Sequence, residues 1–154
     1  MKYLLVVLSG CFLWACNGTD KASPSTPDQL KQDSLKNASL KDTANFTTLQ
    51  WIDSVDQNLG KINEGQVVEI SWHFKNTGNK PLYIVRVQPG CGCTVADQPK
   101  EPIAPGQEGV IKAKFNSEGH PNYQHKDVFV EANNSNKNND VNNALHFSVD
   151  VKPK

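Results

Sequence analysis

Strict alternation of apolar and polar side chains, repeated along one part of the chain, limits the fold more than any other feature. Val68, Ile70, Trp72 and Phe74 alternate with Glu69, Ser71, His73 and Lys75. A period of two puts each set on its own face of a strand, so the run predicts a strand with one buried face. Ile111, Ala113 and Phe115 repeat the pattern against Lys112 and Lys114. Val128, Val130 and Ala132 do so against Asp127 and Glu131, and Leu145, Phe147, Val149 and Val151 against His146, Ser148 and Asp150. Pro81 opens a further strand over Leu82 to Val87, and Leu49 to Ile52, with or without a second run at Val55 to Leu59, adds one or two at the front. Turn residues separate the runs: Asn76-Thr77-Gly78-Asn79, Gln88-Pro89-Gly90, Ala104-Pro105-Gly106, Ser117 to Pro121 and an Asn-rich stretch, 133–143. No run has helical periodicity. About seven short antiparallel strands predict an all-β fold, an immunoglobulin-like antiparallel β-sandwich, with a small closed barrel as the competing architecture.

The residues ahead of this domain read as an address. Lys2 supplies a minimal positive start, and Tyr3 to Ala15 an apolar stretch of Leu, Val, Phe and Trp. It is too short to span a bilayer, which takes about 20 apolar residues, and has the layout of a cleaved export signal. Its ending, Leu13-Trp14-Ala15-Cys16, resembles a bacterial lipobox. That resemblance implies diacylation of Cys16 and cleavage before it. Leu8-Ser9-Gly10-Cys11 is a rival box, but it leaves an apolar run of about five residues against the usual 7–15. Residues 17–45 are rich in Ser, Thr, Asn, Asp, Lys and Gln, with no aromatic residue before Phe46. Such a stretch cannot bury enough apolar surface to offset its ordering entropy. Leu30, Leu35 and Leu40 recur every five residues, which is no helical period, so a flexible tether with a mean reach of about 30 Å is expected. The chain therefore divides into a signal at 1–15, a lipidated Cys16 with tether at 16–45, and one β domain at 46–154.

Charge is balanced, with 16 Lys and Arg against 16 Asp and Glu. Neither the basic face of a nucleic-acid binder nor a polybasic membrane patch is present. Membrane association then rests on the lipid, which predicts an anchored lipoprotein of the bacterial cell envelope, its domain in the periplasm or at the cell surface. Enzyme signatures are absent: there is no Gly-x-Ser-x-Gly elbow, phosphate loop or His-Glu-x-x-His. No catalytic residue, cofactor or small-molecule substrate is expected. Cys91-Gly92-Cys93 is the one constellation with chemistry. In an extended strand its Cα atoms would lie about 7 Å apart, so a disulfide requires the chain to turn, and Gly92 is the residue expected to permit it. The pair reads as structural, bonded or free, with a thiol-disulfide or redox-sensing pair as the alternative. A metal site would need more ligands, from His73, His120, His125 or His146, and no His-x-x-x-His or Cys-x-x-Cys spacing joins them, so no metal is expected.

The middle of the domain carries a recognisable text. His73-Phe74-Lys75-Asn76-Thr77-Gly78-Asn79-Lys80-Pro81-Leu82 leads into Gln88-Pro89-Gly90-Cys91-Gly92-Cys93-Thr94, then Pro102-Ile103-Ala104-Pro105-Gly106 and Phe115-Asn116-Ser117. Over roughly residues 55–151 this order resembles the bacterial domain-of-unknown-function family numbered 1573, typical of Bacteroidetes lipoproteins and related to the major-sperm-protein and ciliary ASH domains. Gly90 departs from it, since members often carry Ser before the first Cys. The resemblance implies a β-sandwich in the envelope and no particular reaction. It also implies O-glycosylation of the tether at Asp33-Ser34-Leu35 and Asp42-Thr43-Ala44. The expected role is binding or scaffolding of an envelope protein, with redox and metal binding as the alternatives. If Cys16 carries the lipid, Cys16→Ser moves the protein out of the membrane fraction and ends fatty-acid labelling, while Cys11→Ser changes neither. Labelling that persists in Cys16→Ser would place the anchor elsewhere.

Overall fold

The alternating runs are strands, and their apolar members face a common core. A computed structural model of the chain describes residues 27–41, 43–134 and 143–154. The signal, Cys11, Cys16, Asp42 and most of the Asn-rich stretch lie outside the described residues. The strands are β1 (Leu49–Trp51), β2 (Asp56–Asn63), β3 (Val67–Asn76), β4 (Ile84–Pro89), β5 (Thr94–Asp97), β6 (Glu108–Asn116), β7 (Asn122–Ala132) and β8 (Ala144–Lys152). They form two four-stranded sheets, in the orders β1-β3-β6-β5 and β2-β8-β7-β4. The immunoglobulin-like sandwich stands, with eight strands where seven were expected.

Ile70, Trp72, Phe74, Ile111, Ala113 and Phe115 line the inner face of the first sheet, and Val128, Val130, Leu145, Phe147, Val149 and Val151 that of the second. Phe147 joins the two layers: its ring centroid lies 6.5 Å from Trp72 and 5.6 Å from Phe115. Large aromatic rings supply much of the apolar area a small sandwich can bury. Trp51 packs edge-on against Phe74 at 5.7 Å.

Three features depart from the sequence reading. β2 pairs with β8 in parallel, not antiparallel. β1 and β2 belong to different sheets, so the chain changes layer through residues 52–55 and enters the second sheet at its edge alongside β8. The ladder shifts between Asn58 and Lys61, where Gly60 has a positive φ of 72° and its N–H donates to Asn58 Oδ1 at 2.8 Å. Glycine carries that conformation at no steric cost, and an irregular edge resists pairing with other chains. β5 is a strand the alternation did not signal. Finally, Pro27–Lys41 in the expected tether is an α-helix, α1. Pro27 and Asp28 suit a helix start, and Leu, Lys and Gln are good helix formers. Leu30 and Leu35 of α1 are exposed, and a Gln32–Glu101 hydrogen bond of 3.3 Å joins α1 to the domain.

Trp72 is fully buried and its Nε1–H finds no acceptor among the described residues. Trp72→Ala is expected to cost about 3–5 kcal/mol in denaturant unfolding, and Trp72→Phe less, because an unpartnered donor leaves with the indole. His73→Ala, on the outer face, is expected to cost under about 1 kcal/mol.

Candidate functional site

The text shared with the family proves to be architecture first. Asn76, at the end of β3, is fully buried. Its Oδ1 accepts from Thr47 Oγ1 at 2.8 Å and Gly78 N at 3.2 Å, and its Nδ2 donates to Lys80 O at 2.7 Å and Ile103 O at 2.9 Å. Both amide hydrogens and the carbonyl are thereby used. A Cβ on Gly78 would collide with Thr47 Oγ1 and the Thr48 nitrogen, so only glycine lets these two segments approach. Ser117, after β6, is buried and donates toward Gln66 O at 2.8 Å, fastening the β2–β3 turn. Asn133 does the same beyond β7: its Nδ2 donates to Asn45 O and Pro81 O, and its Oδ1 accepts from Tyr83 N.

Cys91 and Cys93 form a disulfide with Cα atoms 5.3 Å apart, so the chain does turn between them. Gly92 is exposed, its φ is not positive, and a Cβ there would meet nothing within 4 Å. The turn therefore does not require glycine, contrary to expectation. What fixes the loop is its place between the layers. Gly90 N–H donates to Asp127 O of the second sheet at 2.9 Å, and Cys93 O accepts from Asn116 N of the first at 3.0 Å. The polar side-chain contact at both sulfurs is Thr94 Oγ1, at 3.5 Å from Cys91 Sγ and 3.9 Å from Cys93 Sγ. Cys93 packs against the core cluster.

The two outer faces differ. That of β3 and β6 presents Glu69, His73, Lys112 and Lys114, with a Glu69–Lys114 ion pair at 2.7 Å. The lysine's hydrogen bond lowers the Glu69 carboxyl below its ordinary range, and the glutamate raises Lys114. His73 is not simply solvated: Asp53 accepts from its backbone N–H and lies 2.7 Å from its Nδ1. Those contacts, the backbone one first, hold the Asp53 carboxyl below its usual value.

The outer face of β7 and β8 carries Tyr123, His125, Asp127, Phe129 and His146 instead. Along β7 the residues two apart share a face, and the register sets Asp127 directly across from His146. His146 Nδ1 lies 2.7 Å from Asp127 Oδ1, and His125 Nε2 lies 3.5 Å from the same oxygen. The two imidazoles stack, 5.6 Å between centroids and 17° between planes. Residue spacing gave no reason to join His125 with His146 or to include Asp127. Only the strand register brings them together. His73 and His120 take no part; His120 packs against the Phe115 ring.

A groove of about 460 Å³ runs along α1, lined by Asp28, Gln32, Lys36, Lys100 and Glu101. Every residue that lines it carries a charged or amide group, yet the surface these residues present to the groove is more apolar than polar. Ser34 of the expected glycosylation site is exposed on α1. Among the described residues no helix is long and apolar enough to cross a membrane.

Fold and surface together define an immunoglobulin-like β-sandwich whose family motifs lock its turns. The chain belongs to the DUF1573 family, described as a protein of unknown function, whose model matches residues 50–145. Among solved structures, a protein of unknown function from Porphyromonas gingivalis W83 is 16% identical with a TM-score of 0.55, over 72% of this chain and 49% of its own. The chain thus spans about half the length of that protein, and the likeness is one of fold. The ASH/PapD-like domain 7 of human CEP192 aligns over 71% of this chain and 87% of its own, at 10% identity and a TM-score of 0.47. The secreted serine protease VesC from Vibrio cholerae aligns over 80% of this chain and 25% of its own, at 14% identity and a TM-score of 0.46. No curated protein matches the chain.

A ring as small as Cys91–Cys93 removes little unfolded-state entropy. Cys91→Ala with Cys93→Ala is expected to lower stability by about 1–2 kcal/mol, seen as a lower thermal midpoint, while the circular-dichroism spectrum stays that of a β domain. A midpoint equal to wild type would remove the disulfide from the structural account.

Proposed function

We propose that this protein is a lipid-anchored domain of the bacterial cell envelope that binds or scaffolds another protein, without catalysis, through the outer face of the β2-β8-β7-β4 sheet. The observation that carries this reading is the pair of exposed aromatic residues on β7, with Tyr123 66% and Phe129 43% accessible. They stand on one face, with Asp127 and His125 between them, whereas the opposite sheet presents lysine, glutamate and the exposed Val67 and Val95 but no exposed Phe, Tyr or Trp among the described residues. Aromatic side chains bring large contact area at low entropy cost, and they concentrate at protein interfaces while Lys and Glu are depleted. Central strands give that surface a fixed shape, and an anchor at Cys16 would keep it near the membrane.

The redox alternative rests on the Cys91–Cys93 bond. Reactive thiols are tuned by nearby Lys, Arg or imidazolium groups, whereas the group at these sulfurs is the neutral Thr94 hydroxyl. That supports a structural disulfide. The binding face is tested by Tyr123→Ser with Phe129→Ser in the full chain, followed by cross-linking in membranes of the native host. Loss of the wild-type cross-linked adduct at unchanged protein level is expected. An adduct that survives this change, yet vanishes with Val67→Ser on the opposite sheet, would overturn the assignment.

A further inference from the structure

The outer face of the second sheet also holds a donor set with chemistry beyond the aromatic contact. We propose that His125, Asp127 and His146 form a binding site for a divalent transition-metal ion of the zinc class. Each residue contributes one ligand atom, and the three atoms lie within 4.8 Å of one another. Zinc bonds to imidazole and carboxylate of about 2.0–2.2 Å put tetrahedral donors about 3.3–3.5 Å apart. Asp127 and His146 already meet at 2.7 Å and His125 stands 3.5 Å from the shared oxygen. Coordination thus asks for rotation of one exposed and two half-buried side chains whose donor atoms already lie within 4.8 Å of one another.

Chemistry and placement agree. Two imidazole nitrogens and one carboxylate oxygen suit zinc and its neighbours, not the all-oxygen shells of calcium or magnesium. Two imidazole nitrogens approach one carboxylate oxygen, and the rings, stacked with 17° between planes, must tilt toward each other for both lone pairs to meet one ion. The scaffold is rigid, because β7 and β8 are the two central strands of the sheet. His146 N–H donates to Val55 O at 2.7 Å, and Asp127 O accepts from Gly90 N at 2.9 Å, so neighbouring segments hold both backbones. Ligands mounted on paired strands keep their spacing without the ion. Coordination positions not taken by the protein face solvent, open to water or to a donor from outside.

The test titrates the full chain, metal-stripped, purified in detergent and kept oxidised so that no free thiol competes, with ZnCl2 by calorimetry. Uptake of one Zn²⁺ per chain is expected, and His125→Ala and His146→Ala should each abolish that step. His73→Ala, on the other sheet, should retain it. All variants are checked by thermal melting in chelator, where a midpoint near wild type shows that lost uptake is not lost folding. Should an alanine variant melt early, His146→Gln, which keeps an amide toward Asp127, replaces it. No one-to-one uptake by the wild type, or uptake unchanged in both histidine variants, would overturn the site. The titration uses pure chain without a partner, so its failure leaves the aromatic face untouched, and loss of the cross-link leaves the metal site untouched.

Discussion

The side-chain amide of Asn76 is the interaction on which the rest of this sandwich depends. It is buried at the end of β3 and bonded to four other groups, from Thr47, Gly78, Lys80 and Ile103. A buried amide left without partners costs about 1–3 kcal/mol, so its partners are held as firmly as it is. Through them it fixes the segment that enters β1 and the turn that leaves β3. It also fixes the loop at Ile103, which in turn exchanges backbone hydrogen bonds with Leu82 on the way to β4. The chain there passes from one sheet to the other. An apolar residue at Asn76 would pack, but it would take this partner from the Lys80 carbonyl and the Gly78 N–H.

From that crossover the geometry of the surface follows. β4 enters the second sheet beside β7, and the Cys91–Cys93 loop returns the chain to the first sheet, tied to Asp127 on one side and Asn116 on the other. β7 is thereby held between β8 and β4, and its outward residues stand in fixed relation to those of β8. The aromatic pair and the histidine–aspartate–histidine group are consequences of that arrangement, and the disulfide belongs to the frame beneath them.

The sequence makes some of this legible and hides the rest for physical reasons. Alternation reports which face of a strand is buried, so β3, β6, β7 and β8 could be read residue by residue. Pairing partners leave no such trace, because a strand's own pattern is the same whether its neighbour runs parallel or antiparallel. Hence the parallel β2–β8 ladder was invisible, as was the meeting of His125, Asp127 and His146. β5 lacks a long alternating run, being four residues beside a turn. The helix at Pro27–Lys41 has leucines without a helical period, and its signals are a proline start and composition, both weaker than a stripe. Asn76 and Ser117 could be recognised as family text, yet nothing local revealed that their side chains work inward.

The parallel ladder also sets the timing of assembly. β2 is made early, and the strand it must lie against, β8, comes after all the others in the described domain. β7 likewise waits for β8 on one side. A nascent chain can complete the β1-β3-β6-β5 layer while the second layer still has a gap at its centre. Ordering a long intervening loop before contacts reward it slows such a step. The half-built sandwich meanwhile exposes the inner face of its finished sheet, the surface on which chaperones act. For this molecule the last strand is a keystone: until it is inserted, the earliest part of the second layer has nothing to lean on.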